Sequence, residues 1–88
     1  MRNTYKYNFS IHEQLIEKYG YFIPAMQVWR LLGYTSTAAY RKARSKGRLP
    51  IQEFDVENRK GKFVSTEDVS NWIENQLSQD RSKLQERL

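Results

Sequence analysis

Two stretches with helical periodicity stand only three residues apart in this chain, separated by "GYT" at 33–35. Before the gap, Met26, Val28, Trp29 and Leu32 recur as an apolar stripe, and Pro24 suits a first helical position because its missing N–H would have no partner there. After it, Thr35, Ser36 and Thr37 offer side-chain oxygens to the open N–H groups of a new helix, which runs to about Lys46. Gly33 and Gly47 end the two helices, since glycine readily takes the left-handed conformation that closes a helix. A joint this short makes the pair cross steeply, which is helix-turn-helix geometry.

The flanking segments extend the pattern. Ser10 and Glu13 form a capping box, followed by Ile11, Leu15, Ile16 and Tyr19 at helical spacing and by Gly20 as terminator. "YFI" reads as a short extended piece. "LPIQEFDVE" and "KFV" alternate imperfectly around the polar turn "ENRKG", which predicts a β-hairpin with a basic tip. Ser65 with Asp68 caps a last helix whose buried face is Val69, Trp72, Ile73 and Leu77. The expected fold is mainly α with a small β-hairpin, a winged helix-turn-helix with about four helices. Its divisions are a flexible arm at 1–9, a domain at 10–78, and a tail or helix extension at 79–88.

Eighty-eight residues make one domain. A chain of that size buries only roughly 60–65% of its unfolded surface, so the core must be efficient. With no cysteine and a single histidine, His12, a structural zinc site is not expected. No nucleophile has a base beside it and no carboxylates cluster, so the chain does not read as an enzyme and calls for no cofactor. No apolar run approaches the roughly 20 residues of a membrane span, nor does "MRNTYKYNFS" resemble a signal peptide. The chain reads as soluble and, by default, cytoplasmic.

Net charge is +5, and residues 35–62 hold all of the excess, eight basic side chains against three acidic ones. The rest of the chain carries seven of each. Such segregation is expected of a surface that faces a polyanion. Within 36–46, Ala39 and Ala43 are small enough to pack against the preceding helix, while Thr37, Tyr40, Arg41 and Arg44 project elsewhere. A helix fits the DNA major groove, where arginine grips guanine through two parallel hydrogen bonds. Ser36 and Thr37 sit where they can cap the helix or meet base edges or phosphate. Tyr40 has a core aromatic as its other reading. Lys42, Lys46 and Arg48 suit phosphates. Arg59, Lys60 and Lys62 at the hairpin tip suit the flanking backbone or a minor groove. Trp29, Trp72, Phe54 and Phe63 fall on apolar stripes and are expected in the core.

"IPAMQVWRLLGYTSTAAYRKARSKGRLP" followed by "GKFVSTEDVSNWI" resembles the excisionase-like and MerR-type winged helix family of phage, plasmid and mobile-element DNA-binding proteins. The shared outline is a helix ending in Leu-Gly, a helix with Tyr-Arg, then Gly-Arg-Leu-Pro, a Gly-Lys-Phe strand and a Ser-Thr-Glu-Asp-Val helix. The resemblance implies that helix 36–46 enters the major groove, that the hairpin at 57–62 is the wing, and that Tyr40, Arg41 and Arg44 face DNA, with Arg48 just after them. It also implies a transcription regulator or a directionality factor for excision, acting on double-stranded DNA. Because one module covers only roughly 600–1,000 Å² of DNA, a homodimer or cooperative oligomer is expected.

Two other functions fit the same residues. In one, a protein-interaction module uses the basic helix and a C-terminal helix bearing Leu77, Leu84 and Leu88. In the other, single-stranded nucleic acid stacks on Tyr19, Tyr21 and Phe22.

Overall fold

The computed structural model describes residues 10–87, with side chains described through residue 79. The expected arm at 1–9 and the side chains of Leu84 and Leu88 lie outside the described residues. In chain order the elements are α1 (Ile11–Tyr19), β1 (Phe22–Pro24), α2 (Ala25–Val28), α3 (Thr37–Ser45), β2 (Phe54–Asp55), β3 (Lys62–Ser65) and α4 (Thr66–Arg87). The described chain thus comprises four helices and a three-stranded antiparallel sheet. No described helix is long and apolar enough to cross a membrane.

Local signals set the helix ends. The Ser10 hydroxyl accepts from the Glu13 N–H at 3.0 Å, and the Glu13 carboxylate accepts from the Ser10 N–H at 3.0 Å, the reciprocal box expected. The regular part of α2 is shorter than predicted. Its chain continues through further turns to Leu32, where the Gly33 N–H donates to the Arg30 carbonyl and the Tyr34 N–H to the Trp29 carbonyl. α3 closes in the same way, with Gly47 bonded to Arg44 and Arg48 to Ala43. In both cases a glycine at positive φ, 85° and 66°, reverses the chain. Pro24 caps α2 rather than entering it, and ends β1.

The sheet has one strand more than the predicted hairpin. β3 lies in the middle, with β1 on one side (Ile23 opposite Val64) and β2 on the other (Phe54 opposite Phe63). Only two residues of "LPIQEFDVE" join the ladder, which explains the broken alternation. Leu49 and Ile51 instead pack on the core from irregular chain.

The core is Leu15, Ile23, Ala25, Val28, Leu32, Tyr40, Val64 and Val69, with Trp29, Trp72 and Ile73 packed against it. Two expectations need correction: Met26 and Leu77 are exposed, because the stripes of α2 and α4 are narrower than their apolar residues suggest. Phe54 and Phe63 are half-buried, and Phe54 meets the Phe22 ring edge to face at 5.9 Å. Thr66, wholly buried at the start of α4, donates its hydroxyl to the Gly20 carbonyl at 2.6 Å and its N–H to that of Tyr21 at 3.0 Å. These bonds tie α4 to the α1–β1 corner. His12 meets the Ser70 hydroxyl at 3.2 Å across the α1–α4 seam.

Candidate nucleic-acid interface

A helix turns once every 3.6 residues, so nine residues of α3 present two opposite faces. The inward face carries Tyr40, fully buried, flanked by half-buried Thr37, Ala39, Ala43 and Arg44. The outward face carries Ala38, Arg41, Lys42 and Ser45, spaced i, i+3, i+4 and i+7, with Lys46 and Arg48 beyond; all six are exposed. Ser36 is the N-cap, its hydroxyl accepting from the Ala39 N–H at 3.0 Å.

The expectation that Tyr40, Arg41 and Arg44 form one outward row is therefore corrected. Only Arg41 is free of the protein body. The Tyr40 ring stands edge to face with Tyr34 at 5.7 Å, and its hydroxyl donates to Glu53 Oε2 at 2.6 Å. Arg44 donates to that same oxygen through Nε at 3.1 Å and Nη2 at 2.9 Å, and its guanidinium lies 5.5 Å from the Tyr40 ring centre. Glu53 is only 11% exposed, whereas Arg44 keeps 37%. Three hydrogen bonds on one carboxylate oxygen account for this turn of the helix: a nearly buried charge is tolerable only when paired and bonded.

The electrostatics follow from that cluster. Burial, then the hydrogen bond to the Glu53 carboxylate, hold the Tyr40 phenol well above its ordinary pKa. The hydrogen bond to Glu53 likewise holds the Arg44 guanidinium above its ordinary value. Both side chains remain protonated hydrogen-bond donors at neutral pH.

The hairpin supplies the second basic region. Its turn is closed by the Arg59 N–H donating to the Val56 carbonyl at 3.0 Å, with Asn58 at φ 61°, a left-handed position that asparagine tolerates. Arg59, Lys60 and Lys62 are exposed. Arg59 Nη1 donates to the Asn58 carbonyl at 3.1 Å, and Lys62 meets Asp55 of the neighbouring strand at 3.0 Å. Two of the three acids in residues 35–62 are thus paired internally, with Arg44 and Lys62. Among the described residues of 35–62, Arg41, Lys42, Lys46, Arg48, Arg59 and Lys60 have no ion-pair partner.

Sequence reasoning missed Ala38, Ser45 and Glu53. The first two are legible in hindsight from the spacing with Arg41 and Lys42; their small side chains let the helix backbone approach a surface closely. Glu53 carries no local signal, since its partners lie nine and thirteen residues earlier. Comparisons with protein-family models, curated proteins and solved structures return no match.

Proposed function

We propose that the chain is a sequence-specific binder of double-stranded DNA, a winged helix-turn-helix in which the outward face of α3 enters the major groove and the hairpin tip contacts the flanking backbone. One observation carries the reading: Arg41, Lys42, Lys46 and Arg48 lie exposed along and just beyond one helix face, without an acid among them. Arg41, midway along α3 between Ala38 and Ser45, is the base-reading candidate, because a guanidinium fork matches guanine O6 and N7. Lys42, Lys46, Arg48, Arg59 and Lys60 suit phosphates. Lys62 contributes less because Asp55 neutralises it. Ser36 acts at the helix start through its cap, while Thr37, half-buried on the inward face, is turned from the proposed groove. Tyr40 and Arg44 support the helix from beneath. Assembly on DNA as a dimer or in cooperative copies belongs to this reading, since one module of roughly 600–1,000 Å² of interface selects a site weakly.

The test is duplex binding measured against salt. Five neutralised phosphates would give a slope of log K on log salt of about −4.5, from about 0.9 per phosphate. Selection of bound fragments from a random duplex pool should yield a shared motif. Binding that ignores salt, or a pool that stays unselected, overturns the reading.

A second reading rests on a different observation, the exposure of Tyr21 at 73% and Phe22 at 48%. Aromatic faces left in solvent suit base stacking on a single strand. Under that reading Tyr21→Ala and Phe22→Ala abolish single-strand binding, while Arg41→Ala leaves duplex binding unchanged.

A further inference from the structure

Glu53 is an acid set beside a surface that the proposed function gives to DNA, and counting charge alone makes it a hindrance. Its place in the chain suggests otherwise. It sits immediately before β2, at the root of the hairpin that carries Arg59 and Lys60. Its one bonded oxygen is held by Tyr40 and Arg44, both on the inward side of α3. The hairpin root and the helix are therefore bridged by one carboxylate with little access to water, set between the buried Tyr40 and the partly exposed Arg44.

We infer that Glu53 is a positioning residue: by clamping Tyr40 and Arg44 it fixes the hairpin cations relative to the outward face of α3, so that both basic regions meet one duplex together. The inference rests on the DNA-binding reading for its purpose, but the clamp itself is a property of the free protein.

Geometry supports the clamp over a chance ion pair. Tyr40 has no exposed surface and little room to change rotamer. The guanidinium is planar and uses two of its N–H groups on one acceptor, which fixes its orientation as a lysine ammonium would not. β3 is fixed to the body of the protein by its ladder to β1, by buried Val64 and by running directly into α4. β2, the strand that Glu53 precedes, is held instead by a two-residue ladder and Lys62–Asp55 to β3 and by the Phe54–Phe22 ring contact to β1. Nothing in the "GRLPIQ" connection is helix or strand, so without the clamp the β2 side of the hairpin root would meet α3 only through irregular chain and the apolar contacts of Leu49 and Ile51, and its place would depend on β3 alone.

Two measurements on the full chain decide it. The protein has no cysteine, so spin labels can be placed at Lys42→Cys on α3 and Glu57→Cys on the hairpin without further changes. In this background the distance distribution between labels is expected to be narrow, and Glu53→Gln should broaden it or shift its mean. Superimposable distributions overturn the clamp. In unlabelled protein, Glu53→Gln removes a negative charge and frees Arg44. Charge counting then predicts tighter duplex binding and a salt slope steeper by about 1. The clamp predicts the reverse, an affinity several-fold lower and a slope shallower by about 1 as hairpin cations lose their phosphates. Tighter binding with a steeper slope overturns the inference.

Should Glu53→Gln fail to fold, Arg44→Lys serves in both measurements. It keeps the charge and loses the fork, so the same broadening and weakening are expected, and unchanged behaviour refutes the clamp. If the wild-type chain binds no duplex, the functional reading falls while the label distances still decide whether Glu53 holds the hairpin to the helix.

Discussion

The two faces of α3 are built from similar residue types and behave oppositely. Arg41 and Arg44 are three positions apart on one helix, yet the first is free and the second spends two donors on Glu53. Tyr40 and Ser45 both carry hydroxyls. One lies at zero exposure bonded to a carboxylate, and the other is exposed, turned back onto the Lys42 carbonyl at 2.9 Å. A cluster of arginines and lysines on a short helix is therefore not one surface. Part of the charge holds the helix in place, and only the remainder faces outward. Substitutions on the two faces should therefore separate cleanly, one set altering stability and the other altering binding.

Substitutions on the inward face should cost the most. Tyr40→Ala empties a core position and leaves Glu53 short of a donor, which should cost about 3–5 kcal/mol in a urea titration. Small domains have about 5–15 kcal/mol in total, so the variant should be close to unfolding. A loss below about 1 kcal/mol would mean that the two faces are not distinct. Arg41→Ala is the matching test on the outward face. It should weaken duplex binding by about 1–3 kcal/mol and relax base preference, while the urea midpoint moves by less than about 0.5 kcal/mol equivalent. Equal losses in stability and binding would put Arg41 on the wrong side of the comparison.

How much of this was legible in the sequence depended on how far each bond reached along the chain. The Ser10–Glu13 box, the Ser65 cap on Asp68 and the glycine ends of α2 and α3 are bonds across three to five residues, and the residue types announce them. The rotation of α3 was not legible. Ala39 and Ala43 offered one seam and Tyr40 with Arg44 another, and the choice falls to Glu53, beyond a glycine and a proline. The pairing of β1 with β3 was hidden for the same reason, as Ile23 and Val64 are distant in sequence. On the candidate interface, the outward cations Arg41, Lys42, Lys46 and Arg48 were legible individually, whereas the subtraction of Tyr40, Arg44 and Lys62 needed their partners.

A finer cut through the inward face is Tyr40→Phe, which removes a single hydroxyl. The lost hydrogen bond to a charged acceptor should cost about 1.5–3 kcal/mol at neutral pH. Its pH dependence has a definite sign. Folding raises the Tyr40 pKa above tyrosine's ordinary value near 10, so the folded state favours the neutral phenol. The resulting stability is present in full below about pH 10 and is lost as pH rises toward the folded-state value. The stability gap between wild type and Tyr40→Phe should stay level from about pH 6 to pH 9 and depend on pH only above about pH 10. A gap that already changes near neutrality would show that the phenol is not held neutral by its burial and by Glu53.

The smallest effect marks the boundary of the comparison on the hairpin, where Lys62 pairs with Asp55 and Lys60 has no such partner. Both members of the Lys62–Asp55 pair are well exposed, at 49% and 76%. Such a pair contributes about 0–1 kcal/mol, so Asp55→Asn should barely shift the urea midpoint. It should nevertheless release Lys62 toward a phosphate and steepen the salt slope of duplex binding by up to about 1. Lys60→Ala should do the opposite, flattening the slope by about 1 and weakening all duplex sequences alike. If Asp55→Asn leaves the slope untouched while Lys60→Ala flattens it, the hairpin reaches DNA through its tip alone. The strand position of Lys62 then lies outside the contact.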